Sequence, residues 1–259
     1  MLLHAADMVA NGFQRLLVRT VATDVVLCVA LFQKLSHEQL WVAFGVGKHF
    51  RYIPVHEMVT ALGPQRSVAL AFFHALTGCD TVSAFVGRGK KTCWEVWKKF
   101  PEVTDSFNDV FDVVETIADS NRKLLNRFVV KLYDVNYECD DVNLARKKLF
   151  SSKGKTIENI PPTADALMQH FLRAVYQAGH VWSQSLISNP HLPNPTDWGW
   201  QKVGDCLSPV WMTIPDAAKC CPELKRCGCK SGCITKRCRC VKDNIQCTAL
   251  CACDGECKQ

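Results

Sequence analysis

Residues 227–257 read CGCKSGCITKRCRCVKDNIQCTALCACDGEC, and this stretch decides how the end of the chain can fold. Nine of the sixteen cysteines fall inside it, at Cys227, Cys229, Cys233, Cys238, Cys240, Cys247, Cys251, Cys253 and Cys257. So short a segment has almost no hydrocarbon core, and its sulfurs must hold it together, as disulfides or as metal ligands. A disulfide knot would leave one of nine thiols unpaired. It also requires an oxidising compartment, and the N-terminus shows no basic n-region followed by an apolar run. A metallothionein-like store is the other plain option, and the fusion to an aromatic-rich body with interleaved Lys and Arg argues against it. Zinc is therefore the expected ion. Tetrahedral zinc takes four thiolates, so isolated sites would use cysteines in fours. Nine cysteines suit a shared cluster, in which six terminal and three bridging sulfurs supply the bonds of three zinc ions. Lys225, Arg226, Lys230, Lys236, Arg237, Arg239 and Lys242 would offset the negative charge of that cluster and turn cationic heads outward.

Outward from this block, the chain has 259 residues, of which 48% are hydrophobic and 22% charged, with seven Trp and thirteen Phe. That is enough apolar material for a sizeable core and excludes wholesale disorder. No apolar run reaches the roughly 18 residues of a spanning helix, so no membrane segment is expected. The net charge of +6 is concentrated: residues 81–100 hold five basic and one acidic side chain, and residues 220–259 hold eight and four. Two basic blocks on a near-neutral body imply an anionic partner met at defined places, with nucleic acid first among them.

Residues 2–62 alternate between helical and strand patterns: a helix from Leu2 to Gly12, a strand at Arg15–Val21, a helix at Val25–Leu35 and a strand at Gln39–Phe44. Such alternation predicts an α/β unit with a covered parallel sheet. From Pro64 onward the pattern is helical, with Arg66–Leu76, Lys90–Phe100, Asp105–Ile117 and a helix through Leu124–Leu132. Thr163 is positioned to cap a helix running to about Leu186. Residues 188–215, with five prolines and three tryptophans, read as an irregular strap whose indoles anchor on the core. The expected organisation is a body over 1–150, a helix and strap over 151–219, and the cysteine module over 220–259. His74, on an apolar helix, reads as a packed core histidine, and Cys28, Cys79, Cys93 and Cys139 as core thiols.

The run Cys-Gly-Cys-Lys-Ser-Gly-Cys, followed by Arg-Cys-Arg-Cys and Cys-Thr-Ala-Leu-Cys-Ala-Cys, resembles half of a tesmin-type CXC domain, or the single CXC unit of male-specific-lethal-type proteins. All nine cysteines fall in the family order. The resemblance implies a three-zinc cluster and DNA contacts from Arg226, Lys230, Lys236, Arg237, Arg239 and Lys242. Charge compensation of the cluster is the plainer role for these side chains.

Gly78-Cys79-Asp80 and Gly87-Arg88-Gly89-Lys90-Lys91-Thr92 do not fit a Walker phosphate loop, because Ala84 stands where its first glycine belongs. They read instead as two tight turns and a basic helix start, where backbone N–H groups with Arg88, Lys90 and Lys91 could hold one phosphate of a DNA strand. With strand Arg15–Val21 and Thr23-Asp24-Val25, this part resembles the flap-endonuclease branch of the PIN-like nucleases. More closely, residues 2–257 resemble eukaryotic proteins of mobile-element origin that join such a domain to a terminal CXC unit. The resemblance implies a helix–two-turn–helix gripping the DNA backbone, with Asp24 and Asp80 at Mg²⁺-ligand positions for phosphodiester hydrolysis. Ala22 stands where the family has the first acid of an Asp-x-Asp pair. The family's opening strand and its acid, and a Glu-Ala-Asp pattern, would lie before Met1, so the domain reads as truncated.

The expectation is an α/β, truncated PIN-like domain with a helix–two-turn–helix and a small zinc-cluster module. Its function would be DNA binding in the reducing nucleus, with the nuclease-like half reduced to backbone grip. Two rivals stay open. One is an active Mg²⁺-dependent structure-specific nuclease, completed by a longer form or a partner chain. The other is a zinc-scaffolded protein-interaction module.

Overall fold

The computed structural model describes the chain apart from residues 23–24, 36–37, 112–114, 152–158, 216–226, 230–232, 248–250, 254, 256 and 258–259. It divides into two compact units, Met1–Trp211 and Met212–Gln259. Both helices and strands are present, and the cysteine-rich block packs as a cluster at the C-terminal end. Among the described residues, no helix is long and apolar enough to cross a membrane.

The first unit opens with helix α1 (Leu2–Ala10), strand β1 (Arg15–Thr20), helix α2 (Val25–Leu31), strand β2 (Gln39–Phe44) and strand β3 (Arg51–Pro54). β1 pairs with β2 in parallel, Leu16 opposite Leu40 and Val18 opposite Val42, with α2 as the crossover. Leu16, Leu40 and Val42 are buried on the core face. β3 then turns back antiparallel to β2, Val42 opposite Ile53. The sheet is therefore mixed, where alternation alone predicts a parallel one. The six residues 45–50 are too few for a parallel crossover, which takes about a dozen or more.

Helices α3 (Val55–Leu62), α4 (Pro64–Leu76), α5 (Lys90–Lys99), α6 (Val103–Asp109), α7 (Asp119–Tyr133), α8 (Val142–Phe150) and α9 (Ala164–Val175) build the rest of the core. α4 is the hub, in contact with α2, α3, α6 and α9. Its Phe73 stacks on Trp97 with ring centroids 4.8 Å apart, and Phe107 meets Trp97 and Phe128 edge-on at 5.3 and 5.4 Å. Trp97 donates its indole N–H to Thr104 Oγ1 at 2.9 Å, so the aromatic cluster leaves no polar cost there. The helix expected at Asp105–Ile117 is displaced: α6 starts at Val103 and stops at Asp109. Val110, Phe111 and Ile117 are buried all the same, so the apolar spacing marked the core but not the helix. Val114 lies outside the described residues.

The C-terminus of α4 ends inside the protein, and its free carbonyls need donors. Lys90 Nζ donates to His74 O at 2.9 Å, Gly78 O at 2.6 Å and Thr77 Oγ1 at 3.1 Å. His170 Nε2 meets Leu76 O at 2.8 Å, with Ser83 Oγ at 3.2 Å from its Nδ1. Gly78 sits at φ +108°, and a Cβ there would lie 2.7 Å from Ala84 Cβ. His74 is buried as expected and stacks on Trp182 at 5.7 Å.

Thr163 does cap α9, accepting from Ala166 N at 3.2 Å. The helix does not run on as regular α to Leu186; it widens into a π-helix over Tyr176–Trp182. The strap expected to be irregular contains a hairpin, β4 (Trp200–Val203) with β5 (Cys206–Pro209). Trp198 is buried and Trp200 half-buried, but Trp211 is 62% exposed, so only part of the indole set anchors on the core. The buried Arg173 of α9 fixes this segment by donating to Gly199 O at 3.0 Å and Val210 O at 2.5 Å. Gly199, at φ +78°, lets the chain approach so closely that a Cβ would lie 2.7 Å from Gln169 O.

Burial holds the pKa of both His74 and His170 down to about 4, so both are neutral in the fold. Each has an ordinary value near 6.5 when unfolded, so the unfolded chain binds more protons between those limits. Stability should be full above pH 6.5 and fall as the pH drops toward 4, by up to about 3 kcal/mol per histidine. Thermal unfolding at pH 7 and pH 5 checks this. The loss at pH 5 should shrink in His170→Gln, because one of the two titrating rings is gone.

Candidate metal centre

The second unit is built around sulfur. Cys227, Cys233, Cys238, Cys240, Cys251 and Cys253 are its buried core, with Val241 and Ile245 half-buried against them. A short helix α10 (Arg239–Lys242) begins directly after Cys238, and Asn244 turns the chain with φ +54°. Asparagine tolerates that left-handed region better than most residues. Ile245 N then returns to Cys240 O at 3.0 Å, and Ala252 N reaches Cys227 O at 3.0 Å. These turns bring cysteines distant in sequence to one point.

Three quartets of thiols each have all their sulfurs within 4.8 Å of one another. They are Cys227, Cys238, Cys240 and Cys247; Cys227, Cys229, Cys233 and Cys238; and Cys227, Cys233, Cys247 and Cys253. Cys227 belongs to all three, and Cys233, Cys238 and Cys247 to two each. Cys251 and Cys257 adjoin the same group, with Cys251 Sγ 3.7 Å from Cys240 Sγ and Cys257 Sγ 3.5 Å from Cys253 Sγ. All nine cysteines of the block carry thiols rather than disulfides.

The spacing fits zinc. Two sulfurs on one tetrahedral zinc, each about 2.3 Å from the ion, lie about 3.8 Å apart. The separations Cys227–Cys233, Cys227–Cys247 and Cys233–Cys253 are 3.7, 3.7 and 3.8 Å. A disulfide would need about 2.05 Å. The donor set and its geometry could therefore hold zinc ions.

The protons on these sulfurs are unevenly held. The Val241 backbone N–H brings the Cys238 thiol down to about 6, a thiolate made ready by a helix start. The Gly255 N–H lowers Cys253 in the same way. Burial pushes Cys233 and Cys247 up. At Cys227 the Cys229 N–H is the strongest single influence and pulls downward, but burial and the hydrogen bond to Cys238 together overcome it and leave the thiol at about 12. Zinc must displace protons from the raised group.

Around this core Lys236, Arg237, Arg239 and Lys242 are all exposed, as is the neighbouring Ile234 at 72%. Arg226 and Lys230 lie outside the described residues. Sequence reading missed the part played by the Val241 and Gly255 N–H groups; a cysteine placed just before a short helical run is the signal that could have shown the first.

In the first unit, Asp24 lies outside the described residues and Asp80 is exposed in the turn after α4. Among the described residues, the groups close enough to hold a metal consist of cysteines alone and do not include Asp80. Arg88 lies over the Tyr133 ring at 4.8 Å and donates to Gly87 O at 3.2 Å. Lys90 has its donors committed to the end of α4, and burial lowers its pKa. Lys91 is exposed at the start of α5. No protein-family model, no curated protein and no solved structure matches the chain.

Because bound metal replaces protons, zinc affinity should weaken as the pH falls below neutrality, and loading should release protons into a weakly buffered solution. Competition with a chromophoric chelator at pH 7.5 and pH 6 reads the first effect. Cys227→Ser should lower the zinc content more than Cys229→Ser, since Cys227 serves three quartets and Cys229 one.

Proposed function

We propose that the chain is a DNA-binding protein whose second unit is a CXC-type cluster of three zinc ions. Sulfur sharing carries this reading: three overlapping quartets drawn from one set of cysteines suit bridging thiolates better than separate ions. The exposed Lys236, Arg237, Arg239 and Lys242 beside a net-negative cluster supply the phosphate contacts. In this reading the first unit is the PIN-like, flap-endonuclease-related body. The parallel β1–β2 pair with its α2 crossover supports it, as does the helix–turn–helix path from α4 to α5. That body grips the DNA backbone rather than cutting it, since Ala22 replaces an expected metal ligand. The grip falls on Lys91 and the glycine turn, because Lys90 is committed to α4. The setting is nuclear and reducing, which keeps the sulfurs available to metal.

Native mass spectrometry of the zinc-loaded chain should give three ions, and chelation should unfold the second unit. Binding to duplex DNA should weaken as salt rises. Replacing Arg237 and Arg239 by alanine should flatten the slope of log affinity against log salt by about 1 for each phosphate no longer neutralised. An unchanged slope would favour a zinc scaffold for protein partners. Flap DNA with Mg²⁺ should survive incubation with the protein; cutting that disappears in Asp80→Asn would make the first unit a working nuclease.

A further inference from the structure

We propose that the open face of the β1–β2–β3 sheet binds a single strand of nucleic acid by stacking its bases. This goes beyond the zinc-cluster reading and does not rest on it. Register places Arg15, Leu17 and Arg19 of β1, Gln39, Trp41 and Ala43 of β2, and Tyr52 of β3 on the face turned from the core. An apolar sheet face is usually covered. Here Leu17 is 62% and Tyr52 58% exposed, and Trp41 is half-buried.

The chemistry of the face selects its occupant. The residues on this face include two arginines, Arg15 and Arg19, and no acid. Arg15 and Arg19 are four residues apart on one strand, about 13 Å, and both are exposed. The exposed Lys48 adds positive charge beyond the end of the strands, while Arg51 lies over the Phe44 ring on the other face. A protein partner selected by apolar surface alone would not need so one-sided a charge, whereas a phosphate backbone does.

The aromatic rings supply what the charge lacks. Trp41 and Tyr52 are diagonal cross-strand neighbours, a placement roughly 7–8 Å apart. Bases of one strand that reach this part of the sheet can therefore lie against both rings. A groove of about 360 Å³ lies there, lined by Arg15, Leu16, Leu17, Gln39, Trp41 and Tyr52. Both rings are braced: Trp41 meets His56 edge-on at 5.2 Å, and Tyr52 meets Phe50 at 5.2 Å. The Trp41 indole N–H points to Gln39 Oε1 at 3.5 Å, which leaves the Gln39 amide NH₂ for a base edge. Rings held on a rigid sheet between arginines form a sequence-tolerant stacking platform.

The test uses the full, zinc-loaded chain and a fluorescein-labelled oligothymidylate of about 20 nucleotides, with a duplex as the control. Tyr52→Ala should weaken strand binding by roughly 5- to 150-fold, the range for removing one base–aromatic stack, and leave duplex binding unchanged. Tyr52→Phe should restore it, since the ring and not the hydroxyl is used. Arg15→Glu with Arg19→Glu should also weaken strand binding and lower its salt dependence, while Arg237→Ala with Arg239→Ala should not remove the Tyr52 effect. Circular dichroism checks that each variant is folded. The proposal fails if Tyr52→Ala and the double arginine variant bind the strand as tightly as the parent. It also fails if strand binding follows the cysteine module alone, or if sedimentation shows a dimer on this face that Leu17→Glu dissolves.

Discussion

The second unit depends on sulfur atoms crowded to within a few ångströms of one another. Among the described residues its buried core is six cysteines with two half-buried aliphatic side chains against them, so sulfur rather than hydrocarbon fills that core. Separations of 3.7–3.8 Å are those of ligands on a common tetrahedral ion, and they tie the shape of the unit to the charge state of its thiols. The backbone takes part in this: the N–H groups that lower Cys238 and Cys253 belong to the turns that gather the cysteines. Fold and ligand chemistry are here one set of contacts.

The first unit solves a different problem, the burial of a helix end. α4 touches most of the core, and its final carbonyls point where water does not reach freely. Lys90 from the start of α5 and His170 from α9 meet those carbonyls. Two separate segments are thereby fixed to the hub by polar contacts, while the Phe73–Trp97–Phe107 cluster packs α5 and α6 against it. The lysine that its sequence setting assigns to phosphate is thus occupied by the protein itself.

Much of this is legible in the sequence where local pattern and burial coincide. Strand Gln39–Phe44 is found at its expected bounds, and β1, α4 and α5 lie within one or two residues of theirs. The misses have physical causes. Apolar spacing runs on past Asp109 because Val110, Phe111 and Ile117 are core residues in turns, and burial alone does not make a helix. The hairpin at 200–209 is hidden by surrounding prolines, and the close approach that Gly199 permits has no local signature. For the cysteine cluster, the residues that could hold a metal are marked by their spacing. Which sulfurs fall into more than one quartet is not legible there, because that depends on turns that bring residues some twenty positions apart together, as at Cys227 and Cys247. The pairing of exposed arginines with rings on one sheet face likewise needs the strand register, which no single strand reveals.

The wide turn at Tyr176–Trp182 carries one further consequence. A π-turn holds more residues per revolution than the 3.6 of α-helix, so it behaves as an insertion absorbed without a break. Its extra length sets the angular phase of all that follows, bringing Trp182 onto His74 and His180 against Trp198. A residue added or removed there that the winding could not absorb in the same way would swing the downstream chain by about 100°. A family of such proteins should therefore tolerate substitutions in this segment far better than changes in its length.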